Sequence, residues 1–541
     1  MKVGISLLLC FCGFFTSLLG QQELTARFPE QLKNKNYINY FLQESEGYLY
    51  TFSSSKKAYL LERYNKKTLL PETLATVTLP DKKANLEFVT GESEKAYVYY
   101  SITKKKKTIL YAYSLDRAGM VVKEPQVIME IDAPEDYGRG QFALARRSED
   151  ATKQLVYHHY PTQGKGYFSF YNQIMTLSLM DENLNIVNTV QKNFRGERQS
   201  QRRIYGEILL DAKDNWYISS ANWHTSEDDH SNAYLYQYKV DDHSLKPIQS
   251  YELTVPGHYL EAPLVRFVEA DKLVFLSLMS TLKVNAEDEV EEYIAQGFKG
   301  IEIDGQTAAV TKRFEEKFSK QQLEKFPAYK KEEQKPYQLT GWFQALDLLA
   351  TAGGYYLVLE ERTNNISYGY MENYSYAHET SYYQDVVACK LATDYSINWL
   401  SLLRKKQYFI SGSALSPIIE RHKTAKTSVS SGIGGGLSIA KEMRIFLSYT
   451  VVEKDGALYF VFVDSPKDLK GDPYNNGLQF NFGAETLATA VVKEAGVAKK
   501  KQLMKGFIRP RAQMLHQSAT GKAYIMTRCK GNHSFLELSW P

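Results

Sequence analysis

The chain has 541 residues, 43% of them hydrophobic and 24% charged, which is too apolar for disorder and long enough for one large repeat domain or several ordinary ones. Its 66 lysines and arginines stand against 62 aspartates and glutamates, so there is no global basic field to hold a nucleic-acid backbone. Four cysteines exclude a disulfide-built scaffold, while 40 tyrosines and 26 phenylalanines are the composition of strand formers.

Met1-Lys2, the apolar run Val3 to Leu19, Gly20 and then Gln21-Gln22-Glu23 have the layout of a secretory signal peptide. Residues 1–21 are therefore expected to be removed near Gly20 to Gln22. The exported remainder, 22–541, would be periplasmic, at the cell surface or extracellular. Cys10 and Cys12 sit in the middle of the run, not after a small residue at its end, so lipid attachment is not expected. No later stretch approaches the roughly 18 apolar residues of a spanning helix, so no membrane span is expected in the mature chain. Of its two cysteines, Cys389 and Cys529, each lies in a strand-like segment, and both read as free thiols that behave as small hydrophobes.

From about residue 38 onward, strand-length runs of Tyr, Val, Ile, Leu and Phe alternate with turns, as in GYLYTFS (47–53), AYVYYSI (96–102), NAYLYQYKV (232–240), KLVFLSLMS (272–280) and ALYFVFVD (457–464). Units of four such runs recur near 38–80, 86–131, 141–193, 211–253, 262–315, 339–400, 442–505 and 511–540. The turns LDRAGM (115–120), LMDENLN (179–185), VDDHSL (240–245) and IDGQTA (303–308) occupy one place in the unit, between the third and fourth runs. Four-strand units at a period of about 40–60 residues predict an all-β fold, a β-propeller of about seven or eight blades. Two β-sandwich domains would supply the strands but not the repeated turn. Closure usually needs a strand from the other end of the chain, and SFLELSW (534–540) ends the sequence in a strand.

Two segments depart from the pattern. The charge-rich stretch 284–337 contains Phe314, Phe318, Leu323 and Phe326 at spacings near four, which predicts one or two helical turns. The stretch 407–447 reads as a long loop excursion. Its Ser431-Gly432-Ile433-Gly434-Gly435-Gly436 lacks the Gly-Lys-Ser/Thr ending and the βαβ setting of a phosphate loop.

Candidate sites are few. His224, Asp228, Asp229 and His230 lie between two strong strands, and imidazoles with carboxylates could ligate zinc, although a solvated hairpin tip explains them more simply. His158 and His159 are neighbours on a strand and point to opposite faces. The least ordinary composition is YGYMENYSYAHETSYY (368–383). On a loop, Tyr370, Tyr374, Tyr376 and His378 would give a rigid amphipathic recognition surface for a protein or glycan; on a long β-hairpin, the same residues would pack across strands. There is no Gly-x-Ser-x-Gly elbow and no Ser-x-Asp-x-Gly-x-Thr-Trp repeat, so no catalytic residue is assigned and no cofactor is expected.

GGYYLVLEE (353–361), YYQDVVACKLATDYSINWLSLLRKKQ (382–407) and GALYFVFVDSPKDL (456–469) resemble segments of uncharacterised exported β-propeller-like proteins of Bacteroidota. Trp399, Leu403, Lys405 and Gln407 match that group's Trp-x-x-x-Ile-Pro-Lys-x-Gln segment, with Arg404 in place of proline. Val463-Asp464 stands where the group has Asn-Asp. The resemblance implies an exported propeller and carries no activity.

The sequence therefore reads as a monomeric, exported, non-catalytic binding or scaffold protein of the cell envelope, recognising a protein partner or an envelope glycan through propeller loops. The competing reading is a polysaccharide-active hydrolase with a carboxylate pair in the central channel.

Overall fold

In the computed structural model the chain is almost entirely antiparallel sheet, arranged as an eight-bladed β-propeller. The structure describes the chain apart from residues 1–23, 133–140, 160–173, 194–201, 224–230, 285–289, 327–337, 415–448, 465–477 and 480–485. Shorter breaks fall at 30–33, 56–57, 93, 105–106, 149, 242–243, 372–373, 406, 505–507, 519, 530–531 and 541. The expected signal peptide lies outside the described residues.

Blade 1 spans residues 37–77, blade 2 residues 85–132, blade 3 residues 141–193 and blade 4 residues 202–253. Blades 5, 6 and 7 span 259–317, 343–403 and 450–504. Blade 8 takes three strands from 508–539, and its fourth is Thr25–Arg27, which pairs antiparallel with Glu537–Ser539. Each unit found in the sequence is thus a blade. The unit near 211–253 begins one strand late, because Arg202–Leu210 is its first strand.

The middle strands are apolar almost throughout because both of their faces are covered. Along Lys95–Lys104, Val98 and Tyr100 enter the core between blades 1 and 2, while Tyr97 and Tyr99 enter the one between blades 2 and 3. In blade 6, Leu357 and Leu359 face blade 5, and Tyr356 and Val358 face blade 7. Side chains alternate across a strand, so a run such as AYVYYSI serves two cores at once. Fourth strands have one covered face, and Val310–Lys317 accordingly alternates, with Phe314 buried between exposed Arg313 and Glu315.

The turns between third and fourth strands share a device. Asp181 Oδ1 accepts the amides of Asn183 and Asn185, each at 2.8 Å, and Asp116 Oδ1 does the same for Ala118 and Met120. These local bonds hold the chain in a tight reversal. In several of these turns a residue takes the left-handed conformation and drives its side chain into a blade interface: Leu69 (φ 56°), Leu184 (φ 61°) and Tyr395 (φ 71°) are all fully buried. Tyr395 stacks on Phe314 and Tyr355, and its hydroxyl donates to Glu302 at 2.6 Å.

In the two departing segments, Val290–Asp304 and Val310–Lys317 are the third and fourth strands of blade 5. The phenylalanine spacing therefore does not mark a helical stripe. Phe314 is a strand residue, and the helix is one turn, Lys320–Leu323, capped reciprocally by Ser319 and Gln322. Phe314, Phe318 and Phe326 are nonetheless all buried in the core between blades 5 and 6. Gln407–Ala414 is a strand added to the blade 6 hairpin. Cys389 is buried in blade 6 and half-buried Cys529 lies in blade 8; neither forms a disulfide. Burial pushes the Cys389 thiol well up from its ordinary value. Among the described residues no helix is long and apolar enough to cross a membrane.

Closure rests on a short strand with partly buried neighbours. Leu24, Ala26 and Phe28 pack against the core between blades 7 and 8, and Arg27 pairs with Glu537 at 2.8 Å. A chain beginning at Asn34 is expected to be less stable than one beginning at Gln22 by about 3 kcal/mol or more, from the apolar surface lost. Denaturant melts of the two chains check this, and equal midpoints would contradict it.

Candidate functional site

The two faces of the ring are built differently. The face that carries first-to-second and third-to-fourth connections is made mostly of tight turns, such as 45–47, 117–120, 270–271, 352–353 and 455–456. At the opposite face the strand ends of blades 2 to 7 lie further apart in sequence: Asp132 to Gln141, His159 to Ile174, Asn193 to Arg202, Trp223 to Ala233, Lys317 to Phe343, Leu403 to Thr450 and Asp464 to Thr486. The blade 6 hairpin, Gly354–Met371 with Tyr374–Leu391, also runs out on that face, well past the end of the first strand. Gly354 permits its tight start, since a Cβ there would lie 2.1 Å from the Leu391 carbonyl oxygen.

Three arginines and a tyrosine from blades 4 to 7 act on the Asp347 carboxyl. Arg146 belongs to a two-residue strand, Arg146–Arg147, laid parallel on the free inner edge of the first strand of blade 4. Arg266 is on the first strand of blade 5, and its guanidinium donates to the carbonyls of Val265 (2.7 Å) and Leu346 (2.8 Å). Asp347, on the first strand of blade 6, follows Leu346 directly. Tyr449 precedes the first strand of blade 7, and its hydroxyl lies 3.5 Å from Asp347 Oδ2. Burial lifts the Asp347 carboxyl above its ordinary value, although Arg266, Arg146 and Arg362 all pull it the other way. Desolvation outweighs them.

Behind this cluster runs a buried polar seam between blades 6 and 7. Glu360 accepts from Lys405 Nζ at 2.5 Å and from Arg362 Nε at 2.7 Å, and both Glu360 and Lys405 are fully buried. Lys405 also donates through its backbone amide to Asp385 and through Nζ to Gln407. Gln407 in turn donates to the Val463 carbonyl of blade 7 at 2.7 Å. Next to Val463, Asp464 pairs with Lys500 at 2.6 Å. Burial pulls the Lys405 ammonium below its ordinary value, against the opposing pull of Glu360. Lys405, Gln407 and Asp464, which stand in the segments that resemble the Bacteroidota group, are thus the polar stitches of this seam.

The predicted site residues divide by location. Tyr370, Tyr374, Tyr376 and His378 belong to the blade 6 hairpin, where Tyr370 pairs with Ser375, Gly369 with Tyr376 and Ser367 with His378. Tyr376 and His378 pair on their other edge with Ala414 and Gly412. Their backbone is therefore sheet and not irregular loop; their side chains lie outside the described residues. His224, Asp228, Asp229, His230 and the glycine run 432–436 also lie outside them. Among the described residues no group of three or more His, Cys, Asp or Glu is placed to hold a metal ion. His158 is buried against Phe142, with ring centroids 4.6 Å apart.

No family model and no curated protein matches the chain. Among solved structures, the polysaccharide lyase Uly1 aligns over 93% of this chain and 99% of its own, at 9% identity and a TM-score of 0.36. The WD40 domain of SCAP from fission yeast aligns over 94% and 98%, at 8% identity and a TM-score of 0.33. A protein of unknown function from Bacteroides caccae aligns over 66% and 93%, at 11% identity and a TM-score of 0.23. Likeness this loose carries no argument about activity.

Two outcomes follow from the polar geometry. Lys405→Met removes the ammonium from which the fully buried Glu360 accepts and is expected to cost about 3–5 kcal/mol, read by chemical denaturation. The folded state holds a proton on Asp347 more tightly than the unfolded chain does. The stability this gives is present below the ordinary aspartate value of 3.8 and is lost as pH rises through the elevated folded value. Asp347→Asn should therefore raise the melting temperature at neutral pH and leave it unchanged in acid below that ordinary value.

Proposed function

We propose that the protein is an exported, non-catalytic binding module of the cell envelope, and that it recognises a protein partner with the face that carries the long connections. The observation behind this reading is the asymmetry of the two faces. Short turns are what closing a blade requires, whereas long connections gathered on one side of a rigid ring are what a recognition surface requires. The paired hairpin adds to it, because sheet backbone holds Tyr370, Tyr374, Tyr376 and His378 on a stiff element that extends past the blade.

The hydrolase reading needs two carboxylates free to act on one bond. In the adjoining seam, the Glu360 carboxylate is held by Lys405 and Arg362. This weighs against a carboxylate pair.

The test is affinity co-purification of the tagged mature chain from its own envelope fraction. The comparison is a variant with Tyr370, Tyr374, Tyr376 and His378 all replaced by alanine. The expected result is a stoichiometric protein partner on the unaltered chain and a loss of about tenfold or more on the variant, at equal melting temperature. An undiminished partner on the variant would move recognition away from the hairpin. Nothing bound to the unaltered chain would overturn the reading.

A further inference from the structure

Ring closure covers the faces of every blade but not their outer edges, and an open edge presents a row of N–H and C=O groups that another strand can pair. The outer strands of blades 1 to 5, 7 and 8 each carry proline, lysine or arginine; Pro71, Pro125, Pro247 and Lys500 are examples. Proline removes a donor, and lysine brings an ammonium that a second strand would have to bury or repel, so such edges resist pairing. In blade 6 the outer strand Ile397–Leu403 has none of these residues, and Gly496–Val497 lies parallel on its Ser401 and Leu402.

The blade 6 hairpin departs from this pattern. Its first strand, Gly354–Met371, has 18 residues, but the first strand of the blade, Phe343–Thr351, pairs only with Gly354 to Glu361. Beyond that point Thr363 to Met371 pair with Tyr374 to Tyr382 on one edge. Among the described residues no strand pairs with the other edge. This run, Thr-Asn-Asn-Ile-Ser-Tyr-Gly-Tyr-Met, contains no charge and no proline. The opposite edge of the extension is shorter: Gln407–Ala414 lies along Tyr376 to Tyr383 and is itself paired at Gln407 and Tyr408 by Leu478–Gln479.

A backbone edge is satisfied by another backbone edge, and this one is complementary to itself. Two copies related by a two-fold axis perpendicular to the sheet pair antiparallel, and the register that uses the whole run is centred on Ser367. It sets Ile366 opposite Tyr368, Asn364 opposite Tyr370 and Thr363 opposite Met371, each pair occurring twice. No position sets like charges against each other, the usual bar to such pairing. Each residue meets one of the same alternation, so both sheets keep their faces across the junction. We propose that the edge Thr363–Met371 joins two copies of this chain into a two-fold dimer with one sheet continuous through both hairpins, in place of the monomer expected from the sequence. The contact is the same patch on both copies, so it closes at two. It is made by main-chain groups and stands or falls independently of the envelope-partner reading.

Sedimentation equilibrium of the purified mature chain over a range of concentrations tests it. The expected result is a concentration-dependent shift from the monomer mass to twice that mass, with nothing larger. Ser367→Lys sets two ammoniums against each other at the two-fold axis and should weaken association about tenfold or more, at unchanged melting temperature. Ser367→Asp should do the same with two carboxylates. Mixing the two variants in equal amounts sets lysine against aspartate and should restore the dimer, a rescue that a folding defect does not give. A chain that stays monomeric throughout would overturn the proposal and leave the edge to a strand from another protein. Species that grow beyond two copies, a dimer indifferent to both substitutions, or no recovery on mixing would overturn it as well.

Discussion

Each blade is a twisted sheet with two apolar faces, and a sheet of that kind cannot stand alone in water. Every blade therefore needs a neighbour on both sides, and the ring is the arrangement in which each of them has one. The cores record this: eight clusters of buried side chains lie one between each successive pair of blades. The circle ends where Tyr524, Met526 and Phe535 of blade 8 meet Ile38, Leu49 and Tyr64 of blade 1. The last of these cores exists only because the chain returns to its starting point. Thr25–Arg27 supplies the outer strand of blade 8 and ties the two ends together.

The same constraint sorts residue types over the molecule. Middle strands, covered on both faces, are almost continuously apolar, while outer strands are alternating or polar. Polar groups enter the interior where blades 6 and 7 meet, and there they are joined into a chain of donors and acceptors from Arg362 to Val463. Buried charges without partners are costly, so such a seam holds only while each member keeps its bonds. The cluster around Asp347 borders this seam, and Asp347 itself keeps part of its surface accessible.

Much of the architecture was legible along the chain. The period-2 tyrosine and valine runs gave away the strands, and the Asp-led turns at 115–120, 179–185 and 303–308 marked the step from third to fourth strand. The residues whose backbone enters the left-handed region were less visible, since Leu184 or Tyr395 in a turn looks like any apolar residue until its burial is known. The phenylalanines at 314, 318 and 326 misled through their spacing. They do reach one core, but from a strand, a connection and the residues after a helical turn, so the shared destination came from the fold and not from a helical face.

By itself, the sequence determined the fold class, the repeating unit and, the first strand of blade 4 aside, roughly where the blades begin. Strand alternation and turn chemistry are local, written within a few residues of each other. The axial cluster was decided only by tertiary structure. Arg146, Arg266, Asp347, Arg362 and Tyr449 are scattered over some three hundred positions, and none stands in a motif. Asp347 in FQALDLLAT could hint at its role only as a lone charge in an apolar strand. What brings the five together is the ring, which places the inner edges of blades 4 to 7 around one axis; no spacing along the chain encodes that neighbourhood.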